Sequence, residues 1–296
     1  MLVCSPLLIA SALAAGPTPN SSLTLGAYDY DAGESSPVVL NGRLLMVESI
    51  SFCYPGHMRI WKPDTYDGAK CPSYMRVRDM HTGTVIANLT SDLGANSCNH
   101  TFGAAVVKKD EQGHEQLYIS ATRCARFQAA QSYCESPARA GAVCPCWSGA
   151  GPLKDCAVDI FVSSDQTLQK WQTSAGAFFP GKKLPNTDML SLPQGVSIPG
   201  LPSLHWLMVL EFDKNNLIGT SDPKGLAGWH VLNRTSPVWA CPSIKYAASD
   251  GKFYIMGGGL GVFMTRSSDL QHWESASGRW SFGHLSYVWI PYKYEP

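Results

Sequence analysis

The sequence predicts an all-β fold, a five-bladed β-propeller with a cysteine-rich insertion in the second blade. Residues 241–273 contain three short apolar runs separated by turn signals, which is typical of an antiparallel meander. The end of this pattern is an apolar run followed by Ser-Asp, a loop and a tryptophan, and it recurs at Trp171, Trp229 and Trp273. Repeats of roughly 40–50 residues with several strands each favour propeller blades. A β-sandwich is the alternative architecture.

Each blade is predicted from a first strand, a second strand and the repeated ending. These runs start, blade by blade, at Ser36, Leu44 and Met75; at Phe102, Leu117 and Asp159; at Asn186, Leu207 and Leu217; and at Ser243, Phe253 and Val262. Residues 282–290 predict the fifth blade, which a strand from the N-terminus would complete, so that the ring is closed and its edges are hidden. The aspartates of the repeated ending, Asp165, Asp222 and Asp269, are expected to cap turns between outer strands.

Length and composition define the domain and its class. A chain of 296 residues with 16% charged residues, 27 glycines and 20 prolines suits one strand-rich domain, over residues 28–296. The apolar segment 1–15 ends in small residues and predicts a signal peptide, followed by a linker or ring-closing strand at 16–27. We therefore expect a secreted, extracellular monomer that is not held in a membrane after signal cleavage. The net charge of zero argues against nucleic acid as a partner.

Cysteine usage agrees with export. Of the ten cysteines, Cys4 would leave with the signal peptide, and five of the other nine lie in the insertion 124–156. In an oxidising compartment most of these form disulfide bonds, whose connectivity the sequence leaves open. Because nine is an odd number, one thiol is free or pairs outside the chain. The four N-x-S/T sequons, at Asn20, Asn88, Asn99 and Asn233, predict a glycoprotein.

The candidate site lies where the first strands of the blades begin. Because the first strand of each propeller blade lines the central channel, polar residues at the starts of these strands converge on one mouth. They are Asp29, Asp31 and Glu34 for the first blade, His100 for the second, Asn186 and Asp188 for the third, and Trp239 and Cys241 for the fourth. The sequence therefore predicts a site built from residues that lie far apart along the chain.

Three phrases of the sequence carry a family resemblance: CPSIKY with VFMTRSSDLQHWE in the fourth blade, SPVVLNGRLLMVES in the first and LPNTDML in the third. The chain resembles the five-bladed β-propeller glycoside hydrolases, the superfamily of arabinanases, β-xylosidases, galactanases and fructosidases. The resemblance implies inverting hydrolysis by an aspartate base in the first blade, an orienting aspartate in the third and a glutamate acid before a proline in the fourth. Inversion needs the base and the acid roughly 6.5–9.5 Å apart, with a water between base and sugar.

The resemblance assigns these roles residue by residue. Asp31 or Asp29 matches the base and Asp188 matches the third-blade carboxylate, whereas Ala240-Cys241 stands before Pro242, where the family has its acid. The candidate substitutes for the acid are Glu211, Glu48, His100 and His284. His284 also matches a last-blade histidine that helps to hold an ion, often Ca²⁺, in the channel, and no other cofactor is implied. The residues expected to contact substrate are Glu34, Glu48, Asn186, Trp239 and Cys241.

Three functions follow from this pattern. The first is a secreted glycoside hydrolase that acts on a plant, algal or microbial polysaccharide or oligosaccharide by carboxylate general acid/base catalysis. The alternative is a carbohydrate-binding propeller that has the fold and the pocket without the acid. The third is a propeller for protein–protein interaction or another chemistry. Carboxylates that converge with a glutamate or histidine at the mouth favour hydrolysis, whereas a single carboxylate there favours binding.

Overall fold

The computed structural model describes residues 32–51, 73–89, 93, 97, 100–124, 156–174, 177–179, 187–211, 216–238, 242–257 and 263–275. These residues form four antiparallel sheets and contain no α-helix. Within these ranges, accordingly, no helix is long and apolar enough to span a membrane. The described residues therefore form a propeller arrangement with four blades rather than five, and residues 282–290, which were expected to form the fifth, lie outside them.

Each sheet is a blade whose strands follow one another in chain order. Blade 1 contains β1 (Ala32–Leu40), β2 (Arg43–Ser51), β3 (Ser73–Asp79) and β4 (Val85–Asn88). Blade 2 contains β5 (His100–Lys109), β6 (Glu115–Cys124), β7 (Cys156–Ser163) and β8 (Trp171–Thr173), with β9 (Ala177–Phe179) also paired to β7. Blade 3 contains β10 (Thr187–Ser191), β11 (Trp206–Leu210), β12 (Leu217–Thr220) and β13 (His230–Val231). Blade 4 contains β14 (Ser243–Ala247), β15 (Lys252–Gly257), β16 (Phe263–Ser267) and β17 (Glu274–Ser275).

The strands predicted for these four blades are confirmed, and so are the capping aspartates. Asp165 Oδ1 accepts a hydrogen bond from the amide of Gln169 (3.0 Å), Asp222 Oδ2 from that of Leu226 (2.8 Å) and Asp269 Oδ1 from that of His272 (2.8 Å). A short acceptor side chain at the start of a turn satisfies amides that no strand partner reaches. The repeated Ser-Asp therefore marks the turn that leads to the outer strand of blades 2, 3 and 4.

The apolar core lies between the blades. One cluster joins blade 1, through Leu45 and Val47, to blade 2, through Ile119 and Phe161. A second cluster joins blades 2 and 3, and a third joins blades 3 and 4. Each of these sheets therefore buries its apolar side chains against its neighbours.

The unbroken apolar run WLMVL forms strand β11, which is covered on both faces. Trp206 and Met208 belong to the cluster shared with blade 2, whereas Leu207 and Val209 belong to the cluster shared with blade 4. Successive side chains of a strand point to opposite faces, so a strand covered on both faces needs apolar residues at every position. All residues of β11 are buried.

The first strands of the four blades pack in the order β1, β5, β10 and β14. Near their starts, Ser36 Oγ donates a hydrogen bond to the carbonyl oxygen of Gly103 (3.3 Å), and Ser243 Oγ donates to Asp188 Oδ2 (2.8 Å). At the opposite end, the amide of Asn41 donates to Glu115 Oε2 (2.5 Å) at the start of β6. The starts of the first strands therefore lie together at one end of the propeller axis, which we call the mouth.

Replacing Trp206 with alanine is expected to destabilise the junction of blades 2 and 3. The side chain is fully buried, its ring centroid lies 4.6 Å from that of Tyr118, and its Nε1 donates a hydrogen bond to the carbonyl oxygen of Pro223 (3.1 Å). We expect the free energy of unfolding, measured in urea, to fall by about 3–5 kcal/mol. Val231→Ala, at a side chain that is 51% exposed, should change it by about 0.5 kcal/mol or less. Equal losses in the two variants would contradict a core shared between the blades.

Candidate functional site

Asp188 links the first strands of blades 3 and 4 at the mouth. Its Oδ2 accepts hydrogen bonds from Ser243 Oγ (2.8 Å), the amide of Ile244 (2.8 Å) and Lys245 Nζ (2.9 Å). Its Oδ1 accepts from the amide of Met189 (3.0 Å). The carboxylate is thus held between β10 and β14, at the place that the sequence predicted for the third-blade aspartate.

These contacts define what Asp188 can do chemically. Its side chain is only 9% exposed, and a buried carboxylate is stable only when it is paired and hydrogen-bonded. An ionised carboxylate has roughly four acceptor positions, two on each oxygen, and here three donors reach Oδ2 and one reaches Oδ1. Asp188 is therefore held by β10 and β14 together and is suited to orient its neighbours.

His100, Arg123 and Asp159 form a second polar cluster at the mouth, within blade 2. His100 lies opposite Arg123 in the register of β5 and β6, and Asp159 lies on the adjacent β7. His100 Nε2 is 2.7 Å from Asp159 Oδ2, and Arg123 Nε donates a hydrogen bond to the same oxygen at 2.8 Å. The edge of the His100 ring also packs on Phe161, with the ring centroids 5.2 Å apart.

The members of this cluster differ in their access to solvent. The side chains of His100 and Asp159 are 3% and 9% exposed, whereas that of Arg123 is 49% exposed. Burial alone would raise the pKa of Asp159, but the hydrogen bonds from His100 and Arg123 outweigh it and lower the pKa to about 2. The Asp159 carboxylate therefore stays ionised near neutral pH and holds Arg123, which of the three is the one that a ligand can reach.

Glu48, a candidate for both the acid and a substrate contact, pairs with two arginines inside blade 1. It accepts hydrogen bonds from Arg76 Nε and from Arg78 Nε, the second at 2.9 Å. The Glu48 and Arg76 side chains are 3% and 1% exposed. Each oxygen of the Glu48 carboxylate is thus paired with a guanidinium group inside blade 1. A catalytic or substrate-binding role for Glu48 stays a prediction.

The structure describes only some of the other predicted site residues. Glu211 directly follows β11 and is half-buried. It lies at the mouth end, because Leu210, the last residue of β11, pairs with Thr187 at the start of β10. Glu34 lies on β1, and only its backbone is described. Outside the described residues lie Asp29, Asp31, Asn186, Trp239, Cys241 and His284.

Sequence reasoning missed three of the charged residues at the mouth. Asp159 and Lys245 interrupt apolar runs, in AVDIF and SIKY, and Arg123 is the second-last residue of β6. A charged residue inside an otherwise buried strand is a usable signal, because it must have a partner there. The identity of that partner depends on the register between strands and on the packing between blades, which the sequence does not display.

The described residues hold no group of three or more His, Cys, Asp or Glu side chains that could bind a metal ion. The ion that the resemblance implies for His284 therefore has no ligand set in the part of the chain that is described. No chemical step below depends on such an ion.

Comparison with known proteins concerns the fold. No protein-family model and no curated protein matches the chain. Among solved structures, it is similar to the Trypanosoma rangeli sialidase in complex with sialic acid, with 12% identity and a TM-score of 0.40 over 83% of this chain and 37% of that one. The same sialidase as a covalent intermediate with 2,3-difluorosialic acid matches at 12% identity and a TM-score of 0.39, over 82% and 36%. This chain thus spans little more than a third of those chains, and a similarity of this size says nothing about ligand or reaction.

The pairing of Asp159 predicts a specific dependence of stability on pH. Its pKa is about 2 in the folded protein against 3.8 as the ordinary value, so the carboxylate stabilises the fold fully above about pH 4, and this contribution is lost as the pH falls through about 2. We expect Asp159→Asn to lower the free energy of unfolding by about 2 kcal/mol at pH 7, and the difference from the parent protein should vanish near pH 2. Urea unfolding at several pH values measures this.

Glu111→Gln is the matched control for that series. Glu111 is an exposed carboxylate on the turn between β5 and β6. Its loss should leave the stability curve within about 0.5 kcal/mol of the parent protein at every pH. A constant loss for Asp159→Asn from pH 7 to pH 2 would show that the aspartate acts through packing and that its charge is not involved.

The Asp188–Lys245 pair, which joins blades 3 and 4, is expected to contribute more than an exposed pair within blade 4. In a double-mutant cycle with Asp188→Asn and Lys245→Met, we expect a coupling energy of about 1–3 kcal/mol, because the carboxylate is buried. The control cycle uses Lys252 and Glu274, an ion pair whose carboxylate side chain is 51% exposed, and should give less than about 1 kcal/mol. Equal couplings in the two cycles would mean that Lys245 is not needed to hold Asp188.

Proposed function

We propose that the protein is a carbohydrate-binding propeller, built on a scaffold that resembles glycoside hydrolases, which holds a saccharide at its mouth without cleaving it. The observation that carries this proposal is the pairing of the Asp188 carboxylate with Ser243, Ile244 and Lys245 at the start of blade 4. In the family that the sequence resembles, this aspartate tunes a neighbouring acid. Here its cationic neighbour is the ammonium group of Lys245, 2.9 Å away.

The missing acid supports the same conclusion. The family acid precedes the blade-four proline, and Asp188 contacts Ser243 and Ile244, the residues directly after Pro242. Asp188 therefore lies beside the start of β14, near the position at which the acid was expected. Ala240 and Cys241 occupy that stretch of the sequence, and neither offers a carboxyl group.

Arg123 supports a binding role. It is anchored through Nε by Asp159 while 49% of its side chain is exposed. A guanidinium group held in one orientation can donate hydrogen bonds to sugar hydroxyls or to a sugar carboxylate with little further loss of conformational entropy. From the sequence alone, we propose Trp239 as the aromatic side chain on which a sugar ring would stack.

The rest of the proposal concerns the setting of the protein. Segment 1–15 directs export, and the mature chain is an extracellular, disulfide-bonded glycoprotein that acts as a monomer. Residues 282–290 form the fifth blade and close the ring, with His284 near the channel. The ligand is a plant, algal or microbial oligosaccharide or polysaccharide.

Hydrolysis is the second candidate, and the His100–Asp159 contact favours it. A histidine that is held by a carboxylate can act as a general acid. It would protonate the glycosidic oxygen as the bond to the anomeric carbon breaks, while Asp31 or Asp29 takes a proton from the attacking water. The 3% exposure of the His100 side chain argues against this role, because the acid must reach the leaving oxygen.

A glycan array probed with the secreted protein tests the binding proposal. We expect binding to at least one neutral or acidic plant, algal or microbial glycan. Arg123→Gln should weaken that binding about tenfold or more, as expected for the loss of a charge-assisted hydrogen bond. Arg266→Gln is the matched control, since Arg266 also pairs with a carboxylate, Glu274, but on the outer strands of blade 4. Its affinity should equal that of the parent protein, and an equal loss in both variants would contradict the site.

Hydrolysis is tested with the same protein on aryl glycosides and on the glycans that bind. The proposal predicts no turnover of any of them. Turnover that is abolished by both His100→Asn and Asp31→Asn would replace the binding proposal with the hydrolase. If the protein neither binds nor cleaves any glycan, the proposed function is wrong.

A further inference from the structure

We infer that Cys124 and Cys156 form a disulfide bond that joins the end of β6 to the start of β7. These two cysteines bound the cysteine-rich insertion, and the sequence leaves their pairing open. In the antiparallel ladder between the two strands, Cys124 and Cys156 are direct partners. The inference depends on this backbone register and on the proposed export to an oxidising compartment, and it does not depend on saccharide binding.

The register is continuous up to the two cysteines. The pairs Ala121↔Asp159, Arg123↔Ala157 and Cys124↔Cys156 follow one another without a bulge. Directly opposite residues of an antiparallel pair have Cα atoms about 4.5–5.5 Å apart. Disulfide bonds need a Cα separation of about 4.4–6.8 Å. The two positions can therefore be bridged with no rearrangement of the strands.

The alternative pairings are less favourable at this place. The other three cysteines of the insertion are Cys134, Cys144 and Cys146. Any of them must bring its own loop to the end of β6 to reach Cys124, and ordering that loop costs conformational entropy. Cys156 is already held opposite Cys124 by the strands, so the effective concentration of one thiol at the other is high.

The chemistry of the step is thiol–disulfide exchange. The thiolate of one cysteine attacks a disulfide oxidant of the export pathway and forms a mixed disulfide, and the second thiolate then displaces the oxidant as a dithiol. Two thiols are oxidised to one disulfide, and the oxidant takes up two electrons and two protons. An oxidising compartment supplies such an oxidant.

The crosslink would act next to the polar cluster of blade 2. Arg123 directly precedes Cys124, and Asp159 lies three residues after Cys156 on β7. A covalent bond between Cys124 and Cys156 stops the end of β6 and the start of β7 from separating, next to the Arg123–Asp159 hydrogen bond. The disulfide would thus help to keep the exposed guanidinium in place.

Disulfide mapping of the full chain, secreted from a eukaryotic host, tests the inference. Free thiols are blocked with N-ethylmaleimide, the protein is digested without reduction, and the peptides are identified by mass spectrometry. We expect a crosslinked pair of peptides that contain Cys124 and Cys156 and that separate on reduction. Alkylation of either cysteine, or its linkage to any other cysteine, would overturn the inference.

Substitution gives a second, independent readout. Cys124→Ala and Cys156→Ala should each expose one additional thiol that reacts with N-ethylmaleimide, whereas the double variant should expose none. All three variants should melt lower by the same amount, about 5–10 °C, because they lose the same loop constraint. Cys134→Ala is the control and should retain the Cys124–Cys156 peptide pair. Loss of that peptide pair in the control would also overturn the inference. If the variants fail to fold, the disulfide mapping of the unsubstituted chain alone decides whether Cys124 and Cys156 are linked.

Discussion

The packing of neighbouring blades face to face is the constraint on which the rest of the structure depends. Leu207 and Val209 of β11 complete the core shared with blade 4, while Trp206 and Met208 complete the core shared with blade 2. Removing one blade would therefore expose apolar surface on the next. This arrangement leaves little room for charge except at the ends and inner edges of the strands, and the polar clusters are found at those places.

Charges that lie so close to a shared core must be compensated. Asp188 is compensated by Lys245 and by donors of the first strand of blade 4, and Asp159 is compensated by His100 and Arg123. Compensation holds these groups in fixed positions. The same rigidity suits recognition, since a group that is already ordered loses little entropy when a ligand binds.

Local patterns predicted the blades well. The Ser-Asp turns and the alternation of apolar residues are short-range features, so β10 to β17 could be placed from the sequence, and so could Asp188 at the start of β10. The partners of Asp188 and Asp159 could not be predicted, because they come from other strands and another blade and depend on registers that no local pattern records. The pairing of Cys124 with Cys156 was hidden for the same reason. The absence of a carboxylate before Pro242 was visible in the sequence, and the proposed function interprets it as a loss of catalysis.

A crystal structure of the secreted protein with a bound oligosaccharide tests the central claim most directly. We predict an intact saccharide at the mouth, within hydrogen-bonding distance of the Arg123 guanidinium group, with Asp188 still bound to Ser243 and Lys245. A cleaved saccharide, an Asp188 that has left Lys245 to contact a sugar or a water, or a ligand bound to the outer strands of a blade would contradict it.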